Sequence, residues 1–420
     1  MHPTYHAASF LRAATCATGA ALLSSLCPAA HAGQASPGWT FSGFGTVGVV
    51  HSDEKGADFT ASAMKADGAG RTSAWSRHVD STLGAQLDFT FNPRWSAVVQ
   101  VVSEQQLDHS YRPRVEWANI KYQATPELAL RLGRIALPRF IAADYRKVGY
   151  AYPWARMPLE VYGVLPITNS DGADMTWHWE GDAVHSTTQA FYGHTDMPLA
   201  RRAHLRGKAI AGLSHTVERG AFSARASLLT TRITLTLFPE LFQGLNAFGP
   251  QGRDIARRVA TDDKRARAMS IGLSYDPGQW FVTGEAGRSK VKSYLGSTRS
   301  VYASAGYRQG DFTPYAGYAR VWGTPPADVA PLPLAGLPRP QAVAGATLNA
   351  GVAALLRTVP SQTTLSAGLR WDVAQNMALK LQHERVTPRS GSRGMLINPA
   401  PSFRSGRTAQ VSSVLLDFVF

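Results

Sequence analysis

Residues 82–101 read TLGAQLDFTFNPRWSAVVQV, and their period decides how they fold. Leu83, Ala85, Leu87, Phe89 and Phe91 alternate with Thr82, Gly84, Gln86, Asp88 and Thr90. Successive side chains of a strand point to opposite faces, so this run has one apolar and one polar face. Asn92-Pro93-Arg94 interrupts it as a turn. Alternation resumes with Trp95, Ala97, Val99 and Val101, and Gln100 and Glu104 lie on the other face. The stretch reads as a hairpin of two strands, each about ten residues long.

The same unit recurs along the chain. Trp280, Val282 and Gly284 share a face after Asp276-Pro277-Gly278. Leu365, Ala367, Leu369 and Trp371 oppose Ser366, Gly368, Arg370 and Asp372, and Leu379 and Leu381 alternate with Lys380, Gln382 and Glu384. The breaks come in two sizes. Short turns fall near 92–94, 124–127, 180–183, 218–221, 276–279, 309–311 and 373–376. Long connections fall near 51–79, 105–113, 136–171, 194–206, 232–266, 289–299, 323–362 and 388–407. Seven short turns and eight long connections predict sixteen strands. The range is 14–18, because 232–266 and 323–362 have room for further hairpins. Aromatics stand at strand ends: Trp39, Phe91, Trp95, Tyr122, Trp179, Tyr275, Trp280, Tyr307, Phe312 and Trp371.

Residues 1–32 read as a signal peptide, with a weakly basic start, a small and apolar middle, and Ala30-His31-Ala32 before Gly33. Both cysteines, Cys16 and Cys27, fall within it, so residues 33–420 hold no disulfide and no thiolate. The net charge of +14 becomes +13 once Arg12 is removed. A basic balance raises nucleic acid as a partner, but export argues against it. Small anions or an anionic membrane surface suit the charge better. Nothing after residue 32 has the roughly 18 consecutive apolar residues of a spanning helix. An exported chain of 44% hydrophobic residues without such a helix still fits a membrane as a β-barrel, because closure satisfies every backbone group. The predicted fold is all-β: a transmembrane antiparallel barrel with short periplasmic turns and long external loops.

The chain ends in SSVLLDFVF. Val414, Leu416, Phe418 and Phe420 are predicted to face lipid and Asp417 a polar lumen, with this strand pairing with the first, WTFSGFGTVGVV, to close the barrel. With the leader, the first strand FSGFGTVGVV, hairpins such as LDFTFNPRWSAVVQ and the terminal Phe, the chain resembles the Gram-negative outer-membrane porins. That resemblance implies a water-filled channel in the outer membrane, a third long loop folded into the lumen, recognition of Phe420, Phe418, Leu416 and Val414 by the barrel-assembly machinery, contact with outer-membrane lipid and lipopolysaccharide, and a possible homotrimer.

The third long loop is the most distinctive stretch, RIALPRFIAADYRKVGYAYPWARMPLEVYGVLPITNSDG. From Arg134 to Asp171 it carries Arg134, Arg139, Arg146, Lys147 and Arg156 against Asp144, Glu160 and Asp171, with Tyr145, Tyr150, Tyr152, Trp154 and Tyr162. Pro138, Pro153, Pro158 and Pro166 stiffen it. Two readings stand: a solvated external loop, or an ordered loop inside the channel, which its length and rigidity favour. In the second, Arg134, Arg139, Asp144, Arg146, Lys147, Tyr150, Trp154, Arg156 and Glu160 line a constriction. Arg131, Arg225, Arg370 and Lys380 have inward parity and form an opposing wall. Cations there would favour anions, unless each is neutralised locally by Asp88, Glu104, Asp372 or Glu384.

Residues 253–267, RDIARRVATDDKRAR, read as a solvated external loop or as a contact for lipopolysaccharide phosphates. Within 323–362, residues 342–356 read as a short helix or a loop tip. No HExxH, GxSxG, P-loop or EF-hand pattern occurs. Asp174, His178 and Glu180 on one strand face are too extended for one metal. No enzyme, cofactor or metal is expected. Three functions remain: a passive anion-preferring diffusion channel for small hydrophilic solutes, a channel selective for an organic anion or sugar, and a non-conducting barrel acting as adhesin, receptor or hydrolase.

Overall fold

The computed structural model describes residues 37–164, 167–199 and 203–420. The leader expected at 1–32, and Pro166 in the third loop, lie outside the described residues.

Sixteen long antiparallel strands form a closed barrel. In order they are β1 Gly38–Ser52, β2 Thr82–Asn92, β3 Trp95–Glu104, β4 Arg114–Gln123, β5 Leu128–Ala136, β6 Asn169–Glu180, β7 His185–Pro198 and β8 His204–Arg219. They continue as β9 Phe222–Leu235, β10 Thr261–Tyr275, β11 Trp280–Val291, β12 Ser297–Tyr307, β13 Phe312–Thr324, β14 Gln362–Ala374, β15 Met377–Pro388 and β16 Ala409–Val419. All seven short turns fall where the alternation breaks. The ring closes where β1 pairs with β16, Phe44 opposite Val419 through Ser52 opposite Val411. Every strand therefore has two partners, and no backbone edge is left for hydrocarbon to penalise.

The seam explains the first strand's glycines. A Cβ on Gly43 would stand 2.2 Å from Cζ of Phe420, and one on Gly45 2.3 Å from Cζ of Phe418. The rings lie over positions that only glycine leaves empty. The Gly43 amide donates to the Phe420 carbonyl at 2.8 Å, and the Phe420 amide donates back at 3.0 Å. On the inner face of β16, Asp417 is fully buried and ion-paired with Lys380 at 2.7 Å.

Outside, the barrel is apolar: Trp39, Leu132, Leu228, Met269 and Ile271 are exposed. Tyr275, Trp280, Tyr307, Phe312 and Trp371 stand exposed at the short-turn end. An apolar band with an aromatic border is the surface of a barrel that crosses an outer membrane. No helix among the described residues is long and apolar enough to cross one.

The connection at 232–266 is shorter than the alternation suggests. Strand β9 runs on to Leu235 and β10 begins at Thr261, so 253–267 is not one loop. Its first part ends helix α3, and its second starts β10. Between these strands lie α2 Pro239–Ala247 and α3 Pro250–Val259, while 323–362 holds α4 Arg339–Leu356, after the single turn α1 at Leu159–Tyr162. Neither connection hides another hairpin. Helices α2, α3 and α4 bury Leu245, Ile255, Val259, Val352 and Leu355 together with Tyr294 and Leu332, forming a small helical cap at the long-loop end.

Candidate functional site

The chain between β5 and β6 folds into the barrel. Inward side chains from strands around the ring hold it. The Arg139 carbonyl accepts from Ser227 of β9 at 2.8 Å and from Ser270 of β10. The Ile141 amide donates to Glu285 of β11 at 2.9 Å, and the Tyr162 hydroxyl donates to the same carboxylate. Trp154 Nε1 donates to Ser304 of β12 at 2.7 Å, and the Ala155 amide to Gln382 of β15 at 3.0 Å. Lys147 pairs with Glu104 of β3. Strands this far apart in a sixteen-strand ring face one another, so the segment crosses the interior.

Arg156 is its main anchor. It bonds Asp80 through Nε at 2.9 Å and Nη2 at 2.6 Å, reaches Ser413 at 2.6 Å and pairs with Glu384. Burial opposes its charge, yet Asp80 and Glu384 hold it protonated well above the usual arginine range. Glu160 is buried and accepts from Gln362 at 2.7 Å and from Thr364. Burial pushes its carboxyl above the usual range, against those two donors. Arg139 lies behind the segment, with Nη2 donating to Ser289 at 2.9 Å and its guanidinium over Phe140 at 4.5 Å. Burial first, then Arg146, lowers it to about 10.

Three of the four wall cations, Arg225, Arg370 and Lys380, point at this segment. Arg370 donates to the Tyr150 carbonyl at 2.6 Å, lies over the Tyr150 ring at 4.7 Å and pairs with Asp372. Lys380 donates to the Gly149 and Trp154 carbonyls at 2.7 and 2.8 Å. Arg225 donates to the Phe140 carbonyl at 2.7 Å. Arg131 grips Asp174 at 2.6 Å, and Arg134 grips Asp171 at 2.7 Å. Of the four carboxylates that the alternation pointed to, Asp372 meets a wall cation, whereas Glu104 and Glu384 pair with Lys147 and Arg156 of the segment. Arg131 is met by Asp174, Lys380 by Asp417 and two carbonyls, and Arg225 by a carbonyl.

Beside the segment a cavity of about 460 Å³ remains, between it and strands β1 to β7. Arg134, Arg146, Lys147 and Arg156 line it, while Arg139, Asp144, Tyr150, Trp154 and Glu160 do not. Lys65, Asp80, Glu104, Arg114, Glu116 and Asp196 complete its charged lining, giving six cations against four carboxylates. Lys65 comes from the connection between β1 and β2 and donates to the His78 and Val79 carbonyls at 3.2 and 2.8 Å. Burial lowers its pKa, with Glu104 and Asp80 opposing. Arg146 donates to the Tyr162 carbonyl at 3.5 Å and lies over the Tyr162 ring. No sequence signal marks Lys65, because its connection has no period.

Among solved structures, the anion-selective porin of Comamonas acidovorans superposes with a TM-score of 0.54 at 12% identity, covering 92% of this chain and 100% of that one. The fold is that of an outer-membrane porin. The outer membrane channel DcaP of Acinetobacter baumannii, with a TM-score of 0.51 at 10% identity over 92% and 98% of the two chains, has the same porin fold. So does OmpT of Vibrio cholerae in a trimer form, with a TM-score of 0.50 at 11% identity over 92% and 100%. No family model matches the chain, and no curated protein matches it. Among the described residues no cluster of His, Cys, Asp and Glu is arranged to hold a metal ion.

Proposed function

We propose that the protein is an outer-membrane porin through which small hydrophilic solutes diffuse, with a preference for anions. The observation that carries this reading is the cavity beside the inward segment, with its excess of cations and with Lys65 and Arg146 hydrogen-bonded to carbonyls. In a narrow passage between low-dielectric walls each charge acts strongly on a passing ion. The C. acidovorans protein, described as anion-selective, shares the fold and supports the reading. Phe420 and the strand ending on it are proposed as the assembly signal, and a homotrimer as the assembled form. No catalytic role is proposed. Planar-bilayer recording tests the channel. A current that reverses with the sign for anions under a salt gradient supports it, and the absence of any current sinks it.

A selective channel is the second reading. Tyr152, Met157 and Tyr162 share the cavity lining with Arg146 and Lys147, an apolar and aromatic side next to a cationic one. An organic anion suits that pairing. A current that saturates with such a solute and is blocked by it favours selectivity over free diffusion.

A further inference from the structure

Two arginines of the inward segment stand near one another with no carboxylate to balance them. Arg139 is 8% exposed, and its Nε has no hydrogen-bond partner. Its Nη2 reaches Ser289 of β11, and its guanidinium lies over the Phe140 ring. Arg146 has the Tyr162 carbonyl at 3.5 Å and the Tyr162 ring. Neither guanidinium forms an ion pair among the described residues. The other cations of the segment do: Arg134 with Asp171, Lys147 with Glu104, and Arg156 with Asp80 and Glu384.

The carboxylates nearby are engaged elsewhere. Glu285 accepts from the Ile141 amide at 2.9 Å, from the Tyr302 hydroxyl at 3.0 Å and from the Tyr162 hydroxyl. Glu116 accepts from Thr168 at 2.8 Å. Burying cations without a countercharge is costly, and the cost rises when they also repel each other. The lowering of Arg139 to about 10, by burial and then by Arg146, has the sign of a charge left uncompensated.

Arg139 and Arg146 both line a second, smaller hollow of about 10 Å³, with apolar walls from Leu137, Ala143 and Ile167. Of the pair, Arg146 alone also lines the larger cavity, so the hollow lies behind the segment and not in the passage. Its volume is about that of one water-sized sphere. Water there satisfies a donor but supplies no charge.

We infer that this hollow holds one small monovalent anion, a halide such as chloride, bridging the Arg139 and Arg146 guanidiniums. The room excludes a many-atom oxyanion or an organic acid, and both arginines offer charge-assisted donors. The ion joins Arg139, near the start of the segment, to Arg146 in its middle, beside Ile167 at its end. It is a resident of the fold and not a passing solute, so the inference does not rest on conduction.

Anomalous diffraction from crystals grown with bromide in place of chloride tests it. One bromide peak is expected between Arg139 and Arg146 in the wild type, and none in R139Q/R146Q. In solution, sodium bromide should raise the temperature of heat-modifiable migration above that in sodium gluconate of equal ionic strength, whose anion is too large for the hollow. R146Q, which keeps the more buried arginine, should raise the half-effective bromide concentration about ten-fold or more, the loss expected for a charge-assisted bond. R146K, which keeps the charge, should raise it less. R253Q/R257Q, on the outer helix, should leave it unchanged. A water in place of the bromide peak, a peak that survives in R139Q/R146Q, or equal migration temperatures in bromide and gluconate overturns the inference. So does bromide found only in the larger cavity beside Lys65 and Lys147, which would make it a solute of the passage.

Discussion

Two charged segments meet different fates in this barrel. The segment between β5 and β6 turns inward, and there its cations find fixed partners: Arg156 alone has Asp80, Glu384 and Ser413, all contributed from elsewhere in the chain. Helix α3 stays outside. Its Arg257 and Arg258 form ion pairs with Asp254 of the same helix, at 3.0 and 2.7 Å, with exposed side chains, and Arg258 also donates to the Asp328 carbonyl at 3.1 Å. An exposed pair on one helix is worth little and is screened by salt. A buried ion network fixes where a loop must lie, because leaving one member unpaired is costly. The difference shows that position relative to the lumen, rather than charge content, decides whether an arginine holds structure or faces solvent.

The sharpest way to break the comparison is Arg156→Gln. It leaves Asp80 and Glu384 buried without their cation, so stability should fall by about 3–5 kcal/mol. The inward segment should loosen and single-channel conductance rise. Unchanged conductance and unfolding would mean that the anchor lies elsewhere. Gly43→Val tests the seam in a similar way. The added side chain meets the Phe420 ring, an overpacking cost of about 1–3 kcal/mol. Phe420→Asp should go further, because it also removes the proposed assembly signal. Both should lower the yield of heat-modifiable barrel, and normal yield from both would contradict the seam.

A finer effect concerns Lys65. Its burial lowers the pKa below the ordinary 10.5. Deprotonation removes a cation from the cavity lining, so anion preference should decline as pH rises from neutral toward the lysine range. Lys65→Met should start with a weaker preference and show less of this decline. A wild-type reversal potential that is flat across the range would take Lys65 out of the passage.

The strands were legible in the amino-acid sequence because a half-buried strand must alternate and a hairpin must turn. Leu83 to Phe91, Asn92 and Trp95 to Val101 carry both rules in one stretch. The ends of β9 and β10 were not. Arg232, Arg265 and Arg267 face outward near the headgroup level, where charge is tolerated, and they break the apolar alternation that marks a lipid face. The inward segment was recognisable as special from its prolines and aromatics, but its contacts join residues more than 200 positions apart, as in Arg156 with Glu384. No local pattern encodes such a pairing. For the same reason Arg139, Trp154 and Glu160 read as lining residues, while the fold turns them toward the wall.

The central claim is that the inward segment and its neighbours set ion selectivity, while the outer helices do not. Reversal potentials under one salt gradient compare two variants directly. Neutralising Lys65, Arg146 and Lys147 to Gln should move the potential toward cations, the more so because Glu104 loses its partner. Neutralising Arg253, Arg257 and Arg258 to Gln should move it much less, since those charges act through screened solvent within about 8–10 Å. Equal shifts, or a larger one from the outer set, would contradict the account and place the constriction under the helical cap.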